Sequence, residues 1–210
     1  MKAGRITVAT RKFEVKDVPT PSAAKGQVRI KVGAAGVCLS DVHFLDGTLK
    51  PGYLQGDEVT LGHEVAGTID QVGDGASNFK VGDRVLVIAG ERNEKNQITT
   101  LGFDYDGGYA EYVIAKESLV VKIPDALPFE QAAIIPDAVS TPWAAISSTA
   151  KIQAGESVAV FGVGGLGIHA VQLLKLTGCS KVIAIDPRSD AREKALEIGA
   201  DFALIQVMRS

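Results

Sequence analysis

The stretch Ser157–Gly167, SVAVFGVGGLG, decides the fold of the second part of the chain. An apolar, strand-like run passes directly into a G-x-G-x-x-G sequence, and apolar residues at helical spacing follow it. Glycines at such a turn allow a tight bend and a close approach of a ligand to the backbone, while the helix N-terminus attracts a pyrophosphate. The stretch therefore predicts a dinucleotide-binding loop, and its cofactor-binding candidates are Gly162, Gly164, Gly165, Leu166 and Gly167.

The residues after this loop alternate between helical and strand-like patterns. The helix is ended by Gly178, a second buried strand covers Lys181–Ile185, and a second helix is capped by Gly199. A third strand starts at Phe202. The order β-α-β-α-β predicts a parallel sheet with right-handed crossovers, as in a Rossmann fold.

Asp186, directly after the second strand, bears on the choice of cofactor. An acidic group there is expected to accept hydrogen bonds from both ribose hydroxyls of the adenosine and to repel a 2′-phosphate, which favours NAD over NADP. Arg188, two residues later, can welcome the extra phosphate and keeps NADP as the less favoured alternative. The competing interpretation is a glycine-rich turn that binds no dinucleotide.

The residues before the loop read as short strands separated by glycine turns. Gln27–Val32 alternates strictly, and further strands are predicted over Glu64–Val72, Arg84–Ile88 and Tyr109–Val113. This pattern favours a partly open β-barrel. An alanine-rich helical region follows from Pro128. We expect two domains, residues 1–148 and the first half of a dinucleotide-binding domain over residues 149–210.

The composition excludes several classes of function. The 210 residues are 46% hydrophobic and 22% charged, with a net charge of −3 and no basic cluster, so a nucleic-acid partner is not expected. The N-terminus lacks an apolar signal core, and no apolar run approaches the roughly 20 residues of a membrane span. A cytoplasmic protein without a membrane partner is the expectation.

Three side chains in the barrel region offer a metal-binding set. Cys38, His63 and Glu64 supply a thiolate, an imidazole and a carboxylate, which suits a catalytic zinc with three protein ligands and an open position. The alternative is that a lone cysteine and a lone histidine are core residues.

Several sequence blocks, taken together, resemble the zinc-containing medium-chain dehydrogenase/reductase family. They are G-V-C-L-S-D-V-H (36–43), G-H-E (62–64), G-D-R-V (82–85), D-G-G-Y-A-E-Y (106–112) and the glycine loop. The resemblance implies a GroES-like β-barrel catalytic domain followed by a Rossmann domain. It also implies a zinc-dependent alcohol dehydrogenase that transfers hydride from a small alcohol to NAD, and that forms homo-oligomers in full-length members.

The resemblance assigns roles by position. Cys38 and His63 match zinc ligands, and Glu64 matches a carboxylate that can enter or leave the zinc shell. Asp137 stands where many members have a third cysteine ligand, as in bacterial secondary-alcohol dehydrogenases; the alternative for it is a helix-capping residue. The remaining matches are a proton relay at Ser40 and His43, a carboxylate at Asp41 that orients His63, and a residue lining the nicotinamide at Thr141.

Two departures from the family pattern qualify the prediction. Residues 89–103 contain no cysteine, so we expect one catalytic zinc and no structural zinc. The pattern stops at the third strand of the Rossmann domain, and Gln206–Ser210 do not continue it. A chain truncated there is expected to have weak activity or none. The rival interpretations are a zinc-free reductase of the quinone-reductase type and a non-enzymatic remnant.

The substrate is not predicted by the sequence. Phe44, Tyr105 and Trp143 suggest an apolar cavity, but they suit a hydrophobic core equally well.

Overall fold

The computed structural model describes residues Met1–Ile205, so the predicted departure at Gln206–Ser210 lies outside the described residues. The chain forms two compact units, the first spanning Met1–Asp137 and the second beginning at Ala138. The domain boundary predicted after residue 148 lies further along the chain and stays a prediction. Within the described range, no helix combines the length and the apolar character needed to cross a bilayer.

The first unit is built from antiparallel sheets. Its strands are β1 (Lys2–Thr7), β2 (Lys12–Asp17), β3 (Gln27–Gly36), β4 (Glu58–Thr60), β5 (Glu64–Val72), β6 (Arg84–Val87), β7 (Gly90–Arg92), β8 (Ile98–Thr100), β9 (Tyr112–Lys116) and β10 (Val120–Lys122). The main sheet has the order β10-β6-β5-β3-β9, a smaller sheet has the order β2-β1-β4, and β7 pairs with β8. This architecture confirms the predicted partly open β-barrel.

The alternation of the central strand β3 explains why it holds the sheet together. Val28 and Ile30 are fully buried and pack with Val65 and Ile69 of the neighbouring β5. Because side chains point alternately to the two faces of a strand, this apolar set occupies one face only. The resulting core fixes the end of β3, which Cys38 follows, and the start of β5, which His63 precedes.

One predicted strand begins later than expected. Instead of running over Tyr109–Val113, the strand starts at Tyr112. The backbone of Tyr109 bonds elsewhere: its N–H donates to Leu61 at 2.8 Å, and its carbonyl accepts from Gly4 at 2.6 Å. These long-range partners take the segment away from the edge of β3.

Helices of the first unit are short. They are α1 (Leu39–Asp46), a 3-10 turn (Glu117–Leu119), α2 (Phe129–Ala133) and a π-helical turn (Ile135–Val139) that runs into the second unit. Helix α1 buries Asp41 and Phe44 and ends at Gly47, whose φ of 87° forms a left-handed cap.

The second unit contains the predicted parallel sheet. Its elements are α3 (Ser140–Ala144), a π-helical turn (Ala145–Ala150), β11 (Ser157–Phe161), α4 (Gly165–Thr177), β12 (Lys181–Ile185), α5 (Ser189–Glu197) and β13 (Phe202–Leu204). The strand order is β11-β12-β13, and both pairings are parallel. The predicted β-α-β-α-β succession is confirmed, including the helix end at Gly178, which adopts a left-handed conformation.

Candidate metal centre and dinucleotide loop

Three potential ligand atoms meet in the first unit. Cys38 follows β3, His63 precedes β5, and Asp137 lies in the π-helical turn after α2. Their ligand atoms all lie within 4.8 Å of one another. Asp137 Oδ2 lies 3.2 Å from His63 Nε2 and 3.4 Å from Cys38 Sγ. The structure therefore brings together a thiol, an imidazole and a carboxylate from three distant segments.

Two of the separations between these atoms are close to those of a tetrahedral zinc site. Zinc bonds of about 2.0–2.3 Å place neighbouring tetrahedral ligands about 3.3–3.8 Å apart. From Asp137 Oδ2, the 3.4 Å to Cys38 Sγ lies within this range and the 3.2 Å to His63 Nε2 just below it. The donor set also matches zinc, which accepts sulfur, nitrogen and oxygen ligands. By spacing and chemistry, the three side chains fit the metal that the sequence resemblance implies.

His63 is the most enclosed member of this group. Its side chain is 5% exposed, and its ring lies 5.1 Å from that of Phe103. While Nε2 faces Asp137, Nδ1 lies 3.6 Å from Asp41 Oδ1. An imidazole with one nitrogen toward the ligand group and the other toward a carboxylate has the arrangement typical of metal-binding histidines.

The charge of His63 is set by its two carboxylate neighbours. Burial lowers the pKa of the imidazole, but hydrogen bonds with Asp137 and Asp41 outweigh burial and raise this pKa to about 10. Without a metal, His63 is therefore protonated at neutral pH. A metal ion that binds Nε2 has to displace this proton.

Asp41 is held in place by donors on one of its oxygens. Oδ2 accepts hydrogen bonds from the backbone N–H of Cys38 at 3.0 Å and from the hydroxyl of Tyr109 at 2.8 Å. Burial raises the pKa of Asp41, but the interactions with His63, Cys38 and Tyr109 overcome it and lower the pKa below its usual value. Asp41 is therefore a carboxylate, as its predicted role requires.

Glu64 lies beside the site but outside the group of three. It is 3% exposed, and a Cβ at Gly36 would overlap its Oε2, so Gly36 leaves room for this carboxylate. Among the described residues, the set whose ligand atoms converge does not include Glu64. Its predicted role as an exchangeable fourth ligand stays a prediction.

The two predicted relay residues lie on α1. Ser40 Oγ is 3.5 Å from Cys38 Sγ, which places its hydroxyl at the edge of the ligand group. His43 lies one turn later with 42% of its side chain exposed, and its Nδ1 is 3.6 Å from Asp46 Oδ2. The helix therefore carries one relay candidate at the site and the other toward solvent.

The glycine loop of the second unit has the geometry that its motif predicts. Gly162 has a φ of 81°, which a residue with a side chain rarely adopts. A Cβ at Gly167 would overlap the carbonyl oxygen of Gly162, so this glycine lets α4 pack closely on the turn. Within the described chain no atom lies within 4 Å of a Cβ added at Gly164 or Gly165, so the loop offers open space in front of the start of α4.

Asp186 organises the same loop from the end of β12. Its Oδ2 accepts a hydrogen bond from the N–H of Val163 at 2.9 Å, and its Oδ1 accepts one from the N–H of Arg188 at 2.9 Å. These two backbone donors, Arg188 first, lower the pKa of the carboxyl. The side chain of Arg188 is largely exposed and lies 3.4 Å from Asp190. Thr141 lies on α3 and is exposed.

The three aromatic residues considered for a substrate cavity have different surroundings. Phe44 is fully buried and stacks on Phe103 at 5.2 Å, so it belongs to the core. Tyr105 lines a cavity of about 700 Å³ in the first unit, but none of the three clustered ligands lines that cavity. Trp143 is 47% exposed. These positions do not define a substrate pocket.

Sequence reasoning missed two residues that shape the site, Tyr109 and Phe103. Tyr109 belongs to the D-G-G-Y-A-E-Y block of the sequence, and its hydroxyl reaches Asp41 across 68 residues of chain. Phe103 packs against the ring of His63. No local signal identifies either contact, because both depend on the folded barrel.

Comparisons with known proteins agree with this fold. A family profile described as "Alcohol dehydrogenase GroES-like domain" matches residues 24–125. An alcohol dehydrogenase from Geobacillus stearothermophilus is 36% identical over 97% of this chain and 63% of its own length. The (R,R)-butanediol dehydrogenase of Bacillus subtilis is 35% identical over 90% of this chain and 59% of its own length.

A solved structure shows the same arrangement of elements. Acetophenone reductase from Geotrichum candidum, in complex with NAD, aligns with a TM-score of 0.87 and 32% identity over 97% of this chain and 62% of its own. By fold and by these matches the chain is similar to the medium-chain dehydrogenases/reductases. The matches support the zinc-type branch of this family, in which zinc and NAD are typical. The chain spans about three-fifths of the length of these relatives.

Proposed function

We propose that this chain carries the zinc-binding centre and the first part of the NAD site of an alcohol dehydrogenase, which converts a small alcohol to an aldehyde or ketone. The convergence of Cys38, His63 and Asp137 within 4.8 Å is the observation that carries this proposal. The named activities of the relatives support alcohols and their carbonyl products as the substrate class. The zinc-free alternative finds no support in this donor set.

The three side chains would hold one zinc ion, with Glu64 as an exchangeable fourth ligand. A zinc ion in such a site supplies Lewis-acid polarisation of an alcohol or carbonyl oxygen. Within the chain, Asp41 would keep the Nδ1 proton of His63 in place and leave Nε2 free to bind the metal. The carboxylate of Asp137, in place of a third thiolate, makes the donor set harder and keeps it suitable for zinc.

Proton transfer would use the two polar residues of α1. Ser40 lies at the edge of the ligand group and would relay the hydroxyl proton of the alcohol, accepting this proton as its own hydroxyl proton moves on toward solvent. His43, whose side chain is partly exposed, would pass a proton on to solvent. Their positions support this direction of transfer.

The second unit would bind NAD, which accepts the hydride. Pyrophosphate would lie at the start of α4 over the glycine loop, Asp186 would accept hydrogen bonds from the adenosine ribose, and Thr141 would line the nicotinamide. We place NAD before NADP because Asp186 is ionised, although Arg188 beside it can contact a 2′-phosphate. Cytoplasmic location and homo-oligomer formation stay predictions.

Metal analysis of the purified chain tests the site. We expect about one zinc per chain in the wild type, as for a single site with three protein ligands. His63→Ala should lose this zinc, and the matched control His169→Ala should keep it, because His169 lies on α4 and contacts the carbonyl of Gly165. Zinc retained in His63→Ala would overturn the ligand assignment. Any NADH formation from short alcohols that the wild-type chain shows should be lost in His63→Ala together with the zinc.

A further inference from the structure

The hydroxyl of Tyr109 lies between two acceptors next to the metal centre. It is 2.8 Å from Asp41 Oδ2 and 3.0 Å from the carbonyl oxygen of Gly36. A hydroxyl has a single proton, and the charged carboxylate is the stronger acceptor of the two. Tyr109 therefore donates primarily to Asp41.

This hydrogen bond determines which oxygen of Asp41 faces His63. Oδ2 is occupied by two donors, the Tyr109 hydroxyl and the N–H of Cys38. Oδ1 is left to face His63 Nδ1 at 3.6 Å, and neither of these two buried atoms has a closer partner in the described chain. The side chains of Asp41 and His63 are 4% and 5% exposed, so water does not compete freely for them.

The ring of Tyr109 is fixed by the segment that carries His63. Gly62 has a φ of 94°, and a Cβ there would overlap the Tyr109 ring, so the ring packs directly on the backbone before His63. The N–H of Tyr109 donates to the carbonyl of Leu61 at 2.8 Å, and that of Gly108 donates to the carbonyl of Gly62 at 2.8 Å. Tyr109 and His63 are thus held in one rigid arrangement.

We infer that Tyr109 is a positioning residue of the metal centre, which holds Asp41 in the rotamer that orients the imidazole of His63. This inference rests on the proposed zinc site and adds to it a residue that holds Asp41, the neighbour of the ligand His63. Tyr109 acts through Asp41, to which its hydroxyl donates. Loss of its hydroxyl should let the carboxylate turn and should weaken the hold on His63 without removing a ligand.

Cobalt(II), which reports its ligand geometry in the visible spectrum, is the probe for this role. Tyr109→Phe keeps the ring on Gly62 and removes only the hydroxyl. We expect this variant to bind cobalt about 10-fold more weakly than the wild type, the lower end of the effect of outer-layer partners on metal affinity. The shape of its d–d absorption spectrum should also change. A variant that was only less stable would keep the wild-type spectrum in its folded fraction.

The matched control is Tyr105→Phe, the same change at a half-buried tyrosine that lines a separate cavity of the first unit. It should bind cobalt with the affinity and spectrum of the wild type. The inference is overturned by a Tyr109→Phe variant that matches the wild type in both readouts, or by equal weakening in the two variants. If the wild type binds no cobalt, the proposed zinc site itself fails, and the role of Tyr109 falls with it.

Discussion

Replacing Gly167 by alanine should destabilise the second unit, because α4 packs at this residue against the turn that leads into it. An added Cβ would overlap the carbonyl oxygen of Gly162 and would lie 2.9 Å from the carbonyl carbon. Both atoms belong to the backbone of a turn that is itself held, since the N–H of Gly162 donates to Ile185 at 2.8 Å. The clash can be relieved only by moving α4 or β11.

Two opposing effects set the magnitude. Alanine is favoured over glycine inside a helix by about 1 kcal/mol. Overpacking costs about 1–3 kcal/mol, and the rigid backbone partner places this site at the upper end. We therefore expect Gly167→Ala to lower the free energy of unfolding by about 2 kcal/mol. In Gly165→Ala, where no described atom lies within 4 Å of the new Cβ, we expect a change between zero and a gain of about 1 kcal/mol.

The chain provides its own reporter for this comparison. Trp143, the single tryptophan of the sequence, lies on α3 in the second unit. Its fluorescence during urea unfolding follows that unit, so the two variants can be compared without a label. A Gly167→Ala variant as stable as the wild type would refute the close packing of α4 on the turn. Equal losses in both variants would show that the cost does not come from this contact.

Two further predictions concern Gly62 and Asp186. Gly62→Ala combines a φ of 94° with overlap of the Tyr109 ring. It should destabilise the first unit by about 2–5 kcal/mol, which hydrogen exchange of the β5 amides would measure. Exchange rates equal to those of the wild type would contradict this prediction. The pKa of Asp186 is lowered by backbone donors from Arg188 and Val163, so its carboxylate stabilises the second unit above its unfolded pKa of about 4. As the pH falls through the lowered pKa of Asp186 in the folded state, the wild type loses this contribution, whereas Asp186→Asn has no carboxylate to titrate. Parallel curves of urea midpoint against pH for the two proteins would refute this role.

Local patterns were sufficient to predict the second unit. The strands β11 and β12 occupy the predicted residues, because each is a short, nearly continuous apolar run bounded by turn residues. Glycines mark the ends of the neighbouring helices, and Gly178 forms the expected left-handed cap. Each of these signals lies within a few residues of the feature that it predicts.

The first unit could be predicted less completely, since its structure depends on contacts between distant segments. Helix α1 was not predicted, because it is short and only two of its side chains, Asp41 and Phe44, are buried. The start of β9 was wrong because Tyr109 bonds to Leu61 and Gly4 instead of β3. Residue types alone predict Cys38 and His63 as ligands, whereas Asp137 is predicted only by the resemblance to a family. Nothing in the spacing of Cys38 and Asp137, which are 99 residues apart, indicates that they meet.

That separation in sequence also determines the stage of folding at which the metal centre can form. Closing a loop of this length costs chain entropy that local contacts do not offset. The three ligands therefore cannot come together before β3, β5 and α2 have packed against one another. Asp137 is moreover the last residue of the first unit. The centre is thus a late product of folding of this unit, and its ability to take up a metal measures how much of the barrel has reached its final topology.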